Sequence, residues 1–169
     1  MAFTQLSGHR SYIYHIAIGN IDDYFFLVEQ QDEKGNLGQV DMFKRMRYYL
    51  NAIESLNNIS DYFYHEFKEK NGWSEKQDDK WYARKIRKKH PLIQDVANIA
   101  NAYKHCVRNG KNAKLHASDL EQAVIKIDIN DDVKVSVNYN PQIDDDLIEK
   151  AYHFWLDYLE ANDNSILSI

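Results

Sequence analysis

The longest regular apolar pattern in the chain lies between residues 41 and 70, and it restricts the folds that the chain can adopt. Asp41 precedes the pattern as a predicted N-cap, and Asn71-Gly72 follows it with residues that tolerate a left-handed helix cap. A helix of this length extends over roughly 45 Å and usually forms the spine of a helical bundle. Its apolar face has the expected three- and four-residue spacing and consists of Met42, Met46, Tyr49, Ile53, Leu56, Ser60, Phe63 and Phe67.

The same periodicity predicts four further helices, over residues 10–30, about 75–89, 91–108 and 145–160. Ser74 and Gln77 fit the capping box of a helix start, and Asp144 fits an N-cap. Pro91 is accommodated in the first turn of a helix, so it marks the start of helix 91–108. The β-branched residues of YIYHIAI, near the N-terminus, leave a strand as the alternative in that segment.

The pattern changes to strict alternation over about residues 122–139, in the segments AVIKIDI and VKVSVNY. Asn130-Asp131-Asp132 joins the two segments, so they predict a β-hairpin. A single hairpin is not stable alone in water and must pack on the bundle or on a partner. The predicted fold is therefore a mainly α single domain, residues 1–169, with about five helices and one hairpin at its edge.

Composition excludes several classes of protein. The single cysteine, Cys106, rules out a disulfide within the chain and indicates a reducing, cytoplasmic location. No run of 18 apolar residues and no signal peptide is present, so no membrane association is expected. The chain lacks HExxH, a Cys/His cluster and a phosphate-cradling glycine pattern, so neither a metal nor another cofactor is expected.

The net charge of −5 hides an uneven distribution of charge along the chain. Residues 68–114 hold 13 Lys and Arg against 5 Asp and Glu, whereas the remainder holds 8 against 21. A basic middle between acidic ends is typical of an anion- or nucleic-acid-binding surface, or of charge balance within the molecule or a dimer.

Helix 91–108 has an unusual polar face opposite its apolar one. Histidine titrates near neutral pH and is a natural general acid or base, whereas Lys and Arg hold phosphate or carboxylate groups. The alternative is a partly solvated face, or a second helix contact made by amide and imidazole hydrogen bonds. The candidate site residues on this face are His105 and Arg108 for catalysis, and Asn98, Asn101 and Lys104 for substrate binding.

The run RKIRKKH, residues 84–90, contains the second set of candidates. Arg84 and His90 form an alternative catalytic pair, and Arg87, Lys88 and Lys89 are predicted phosphate contacts. A solvated basic face near a helix C-terminus, which the helix dipole favours, is the competing interpretation.

The segment FKRMRYYLNAIESLNNISDYFYHEF, the following WY with its basic helix and the string DVANIANAYKH resemble small bacterial and phage proteins. Their helical layout is similar to that of the HEPN superfamily (higher eukaryotes and prokaryotes nucleotide-binding), over about residues 10–110. HEPN ribonucleases carry an Arg followed, after four to six residues, by a His. Arg108 precedes His116 by seven intervening residues, and Arg84 precedes His90 by five, with Lys85 directly after the arginine. The resemblance implies the fold more directly than the activity.

Two main hypotheses follow. The first is a HEPN-like protein of a bacterial defence, toxin–antitoxin or phage system that binds RNA, or cleaves it without metal. The resemblance implies a homodimer in that case. The second is a non-catalytic helical module that binds a protein partner or a second copy. A nucleotide or small-anion sensor that uses the same polar face is a third possibility.

Overall fold

The computed structural model describes residues 8–104, 121–129, 133–141 and 143–169. Within these ranges the chain is mainly helical, which confirms the predicted α class. No helix in the described ranges combines the length and the apolar character of a membrane span. The predicted acid or base His105, and Arg108, lie outside the described residues.

The N-terminal helical rod consists of three consecutive parts. These are α1 (His9–Tyr12), a π-helical segment (Ile13–Ile18) and α2 (Gly19–Lys34). The backbone has right-handed helical angles at both junctions, so the rod is continuous and the strand alternative for YIYHIAI is wrong. Gly35, with φ of 80°, ends the rod four residues later than predicted.

The long helix α3 (Gln39–Phe67) is the spine of the bundle, as its apolar stripe predicts. Its N-cap is Gly38, and the predicted cap Asp41 instead lies three residues into the helix. There the Asp41 carboxylate accepts a hydrogen bond from the Gly38 backbone at 3.0 Å and pairs with Lys34 at 2.6 Å. Asn71-Gly72 belongs to the turns that follow the helix, and Gly72 has the left-handed φ of 63°.

Two shorter helices, α4 (Asp79–Lys89) and α5 (Pro91–Lys104), pack against α3. The cap of α4 is Asp78, whose carboxylate accepts from the Trp81 backbone at 2.7 Å. Ser74 and Gln77 form a hydrogen-bonded turn before the helix, so the predicted start near residue 75 is too early. Pro91 opens α5 as predicted.

Strands β1 (Glu121–Ile129) and β2 (Val133–Pro141) pair antiparallel, with Glu121 opposite Pro141 and Ile129 opposite Val133. Their connecting residues lie outside the described ranges, and the position of the hairpin at the edge of the bundle stays a prediction. The last helix, α6 (Asp145–Ala161), has the predicted N-cap Asp144, which accepts from the Leu147 backbone at 3.0 Å.

The core lies along α3 and is rich in aromatic rings. Tyr24, Tyr49, Tyr82 and Tyr158 are fully buried, and the rings of Phe63 and Tyr82 stack with centroids 5.6 Å apart. Residues 162–169 return to α4, where the Tyr82 hydroxyl donates to the Leu167 carbonyl at 2.7 Å. The rod, α3, α4, α5 and α6 thus form a bundle around one aromatic core.

Candidate functional site

A groove runs between α5 and α6, and part of the polar face of α5 lines it. The first of two hollows in the groove, of about 500 Å³, is bordered on the α5 side by Leu92, Asp95, Asn98 and Ile99. The opposite wall belongs to the start of α6 and to its cap: Asp144, Asp146, Leu147 and Lys150. The structure therefore places one predicted binding residue, Asn98, against a helix that sequence analysis did not connect with it.

A second hollow continues the groove along α6 towards its C-terminal half. It has a volume of about 620 Å³ and shares Leu92, Asp146 and Lys150 with the first. The remaining residues of its wall all belong to α6: Glu149, His153, Phe154 and Asp157. The two hollows form one continuous surface.

The groove is acidic, whereas the sequence predicts phosphate binding on this side of α5. Five carboxylates line the two hollows, from Asp95, Asp144, Asp146, Glu149 and Asp157. Lys150 pairs with Asp146 one helical turn away, and this hydrogen bond raises the pKa of the lysine. Acidic side chains repel phosphate, so the described part of the groove does not favour a nucleic-acid backbone.

The polar face of α5 is narrower than the helical projection indicates. A helical projection puts Ala97 and Ala102 beside the amides, but both are buried in the bundle. The Asn98 side chain accepts a hydrogen bond from the Gln94 amide at 2.8 Å, so it is partly satisfied within its own helix. Asn101 is half-buried on the next turn, and Lys104 is the last residue of α5.

The start of α6 is fixed by a polar contact with α2 and α3. The Arg45 guanidinium donates to the Asp145 carboxylate at 2.6 Å, and the buried Tyr24 hydroxyl donates to the same side chain. Burial, together with the bond to Asp145, raises the pKa of Tyr24 far above its usual value, so its hydroxyl remains a donor. This contact holds the acidic first turn of α6 beside α5.

The exposed face of α4 carries the basic candidates. Arg84, Lys85 and Lys88 are exposed, whereas Arg87 is half-buried and donates to the Asn57 side chain at 3.2 Å. Burial lowers the pKa of Arg87, an effect that the nearby Asp61 carboxylate opposes. We call Arg84, Lys85 and Lys88 the basic ridge. Arg87 lies beside it and is already engaged by α3.

Lys89 and His90 hold the C-terminal segment, an arrangement that the sequence did not indicate. The Lys89 ammonium donates to the carbonyls of Ser165 and Ser168 at 3.0 and 2.8 Å. The Nε2 atom of His90 lies 2.8 Å from the Ile166 carbonyl, so it donates there. Both side chains thus have structural partners, and the structure does not bring the His90 imidazole and Arg84 together around a shared polar contact.

A third polar cluster, centred on His9, was not predicted. The imidazole is 1% exposed, and its Nδ1 and Nε2 atoms lie 2.8 Å from the Glu66 carboxylate and 2.6 Å from the Tyr158 hydroxyl. The Asn164 side chain accepts from Tyr158 at 2.8 Å and from Arg10 at 3.2 Å. Burial lowers the pKa of His9, and the bond with Glu66 offsets this only in part. The partners lie 57 and 149 positions away in sequence, so no local pattern could reveal them.

The His9 cluster has a structural role: it connects three helices, and its imidazole is not accessible to a substrate. Tyr158 is fully buried, and the rings of Phe63 and Phe67 pack edge-on against the imidazole at 4.9 and 5.6 Å. A Cβ atom at Gly8 would lie 2.7 Å from the Glu66 carboxylate, which shows how closely the chain approaches α3 here. The cluster joins the start of α1, the end of α3 and the end of α6.

Within the described residues, no group of three or more His, Cys, Asp or Glu side chains is arranged to hold a metal ion. Comparisons of the chain with protein-family models, with curated proteins and with solved structures found no match. The function is therefore proposed from the geometry and the charge of the two surfaces, the basic ridge and the acidic groove.

Proposed function

We propose that the chain is a small helical RNA-binding protein, of the kind found in bacterial defence, toxin–antitoxin or phage systems. The observation that supports this proposal is the basic ridge of α4. Its three cations are exposed on a helix whose opposite side, formed by Tyr82, Ala83 and Ile86, is buried in the core. A rigid helix with exposed cations contacts phosphates of the RNA backbone without reading sequence.

The ridge and the groove differ in charge and share no residue. Residues 79–89 hold six Lys and Arg against one Asp, whereas the groove holds five carboxylates and one lysine. RNA approaching the molecule is attracted to the first surface and repelled by the second. Trp81 is half-buried and Tyr82 is fully buried, so base stacking on α4 does not form part of the proposal.

RNA binding is tested with a matched pair of double variants. Arg84→Ala/Lys88→Ala removes two ridge cations, and Lys44→Ala/Arg47→Ala removes two exposed cations from α3. Fluorescence anisotropy with a labelled 20-nucleotide RNA at 100 mM salt should show a loss of about tenfold or more for the ridge variant. The α3 variant should change the affinity less than twofold, and equal losses for both would reject the ridge as the binding surface.

RNA cleavage by His105 with Arg108 stays a prediction, with Arg84 and His90 as the alternative pair. The test is incubation of labelled RNA with the protein and with His105→Ala in EDTA. Cleavage by the original chain alone supports a metal-independent ribonuclease with His105 as acid or base. Cleavage by both proteins would assign the activity to residues other than His105. If neither protein cleaves RNA, the proposed function is RNA binding without cleavage.

A second candidate function is a non-catalytic interaction module, which the groove between α5 and α6 favours. In this proposal the polar face of α5 contacts a partner or a second copy, as in the predicted homodimer. His105→Ala should then lower the melting temperature or the mass measured by light scattering. An unchanged melting curve together with an unchanged mass would count against this function.

A further inference from the structure

We propose that the groove between α5 and α6 is a docking site for a cationic amphipathic helix of a partner protein. This proposal is independent of RNA binding by the basic ridge, because the two surfaces share no residue. It is carried by three properties of the groove: its apolar floor, its acidic rim and its length.

The floor of the groove is apolar. Ile99 and Leu147 are 7% and 6% exposed, and the half-buried Leu92 and Phe154 lie beside them along the two hollows. A hydrophilic chain would leave this floor unfilled. An amphipathic helix fills such a groove with one apolar face, whose anchors repeat every three to four residues.

The rim of the groove specifies the charge of the occupant. Its acidic side chains are exposed and stand on both walls, with Asp95 on α5 and Asp146, Glu149 and Asp157 on α6. The one lysine of the rim, Lys150, is already paired with Asp146. Lysine and arginine side chains flanking an apolar stripe would complement this rim, whereas an acidic helix or a nucleic acid would be repelled.

The length of the groove fits a helix of three to four turns. From Asp146 to Asp157 the α6 wall spans eleven residues, or roughly 16 Å at the rise of an α-helix. Residues 146, 149, 153 and 157 have the spacing of one helix face, so the wall presents its polar side chains along a single line. An occupant of about 14 residues can contact the whole line.

The basic helix α4 of a second copy fits the groove less well. Its cations are exposed, but its apolar residues Tyr82, Ala83 and Ile86 are buried in its own bundle. A second copy would thus offer charge without the apolar stripe that the floor requires. A separate helix can present both, and for this reason the proposal names a partner protein.

The proposal is tested with a fluorescent 14-residue peptide of leucine and lysine, designed with all its lysines on one helix face. A peptide with glutamate at every lysine position is the control. Anisotropy titrations at 50 and 500 mM NaCl should show binding of the lysine peptide, weaker at the higher salt, and no binding of the glutamate peptide. Absence of binding by the lysine peptide, or equal binding of both, would overturn the proposal.

Matched double variants locate the binding surface. Glu149→Lys/Asp157→Lys should weaken peptide binding at least tenfold, whereas Glu69→Lys/Glu75→Lys, with the same charge change between α3 and α4, should weaken it less than threefold. All four side chains are exposed, so both variants should keep the melting temperature of the original chain. Equal losses in both variants would show a general charge effect and overturn the proposal.

Two parallel measurements separate this proposal from the others. RNA affinity of Glu149→Lys/Asp157→Lys should not decrease, because the groove does not contact RNA in the proposed function. Light scattering of the chain without peptide should give the same mass for this variant and for the original. If the variant instead converts a dimer to a monomer, the groove belongs to a second copy and the partner proposal is wrong.

Discussion

The imidazole of His9 shows how strongly one side chain can be constrained by residues remote in sequence. Both of its ring nitrogens have partners, Glu66 and Tyr158, although the ring is almost fully buried. Tyr158 has one hydroxyl proton, so it donates either to neutral His9 or to Asn164. A protonated His9 would donate at both nitrogens and release that proton for Asn164, but burial opposes the charge.

Replacing His9 by alanine should destabilise the chain by about 2–4 kcal/mol, because it leaves a cavity in the core and removes the two hydrogen bonds of the imidazole. His15→Ala is the control, since His15 is exposed on the π-helical segment, and it should change stability by less than about 0.5 kcal/mol. Urea unfolding followed by circular dichroism measures both values. Similar values for the two variants would contradict a structural role for His9.

The titration of His9 predicts a pH dependence of stability. Burial lowers the pKa of His9 in the folded chain below its ordinary value of 6.5, so the unfolded chain binds more protons in the interval between the two pKa values. The free energy of unfolding should therefore decrease as the pH falls below about 6.5. Unfolding curves between pH 7.5 and 5.0 should show a shallower decrease for His9→Gln. An equally steep decrease in that variant would assign the effect to other groups.

At the scale of elements, helix periodicity located each helix within the described residues, whereas the helix ends depended on local hydrogen bonds. The predicted capping box of Ser74 and Gln77 forms a turn before α4, and the cap of the helix is Asp78, whose carboxylate accepts from the Trp81 backbone. The projection of α5 identified its core face and Asn98. It could not show that Ala97 and Ala102 pack in the bundle, because periodicity does not reveal a second packing face.

The acidic wall of the groove shows a second limit of sequence analysis. Asp145 and Asp146 lie in the first turn of α6, where the helix dipole favours acidic side chains. Their position opposite Asp95 depends on the packing of α6 beside α5. The residues are fifty positions apart, so no local sequence pattern indicates that these two helices are neighbours. The charge of the site, and so the class of ligand it favours, became visible only from the tertiary arrangement.

The C-terminal segment is an element without regular structure that nevertheless belongs to the core. Leu167 is fully buried, and its carbonyl accepts from the Tyr82 hydroxyl. Leu167→Ala should therefore cost about 2–4 kcal/mol, whereas Ile169→Ala, at a side chain that is 50% exposed, should cost less than about 1 kcal/mol. Thermal unfolding of the two variants measures the difference. A loss at Leu167 no larger than the loss at Ile169 would contradict a core role for the Leu167 side chain.

At the scale of the whole molecule, the uneven charge distribution seen in sequence becomes two separate surfaces. The basic residues of α4 are exposed on one helix, and the acidic residues around α6 line a groove. The sequence predicts that charge is unevenly distributed along the chain. It does not predict that the basic and the acidic residues form different surfaces, because a count of charges does not say where the side chains lie. Charge balance within the molecule or a dimer, the alternative drawn from sequence, stays a prediction.

The ridge predicts the salt dependence of RNA binding. Three phosphate contacts would give a slope of about −2 in a plot of log affinity against log salt for single-stranded RNA. Arg84→Ala/Lys88→Ala should make the slope shallower, at about −1 or closer to zero, because RNA binding then releases fewer counterions. Anisotropy titrations from 50 to 300 mM NaCl measure both slopes. Identical slopes for the two proteins would show that the ridge cations do not contact phosphate.

The π-helical segment Ile13–Ile18 sets the rotational position of α1 relative to α2. A π turn holds one residue more than an α turn, so α1 is rotated by roughly 100° compared with an uninterrupted helix. Deleting the exposed Tyr14 should restore regular α-helix and turn His9 away from Glu66, while α2 keeps its place against α3. The deletion should then lower the melting temperature about as much as His9→Ala does. The one extra residue thus lets the same rod make two contacts that an uninterrupted helix could not combine: His9 of α1 faces Glu66, and α2 packs along α3.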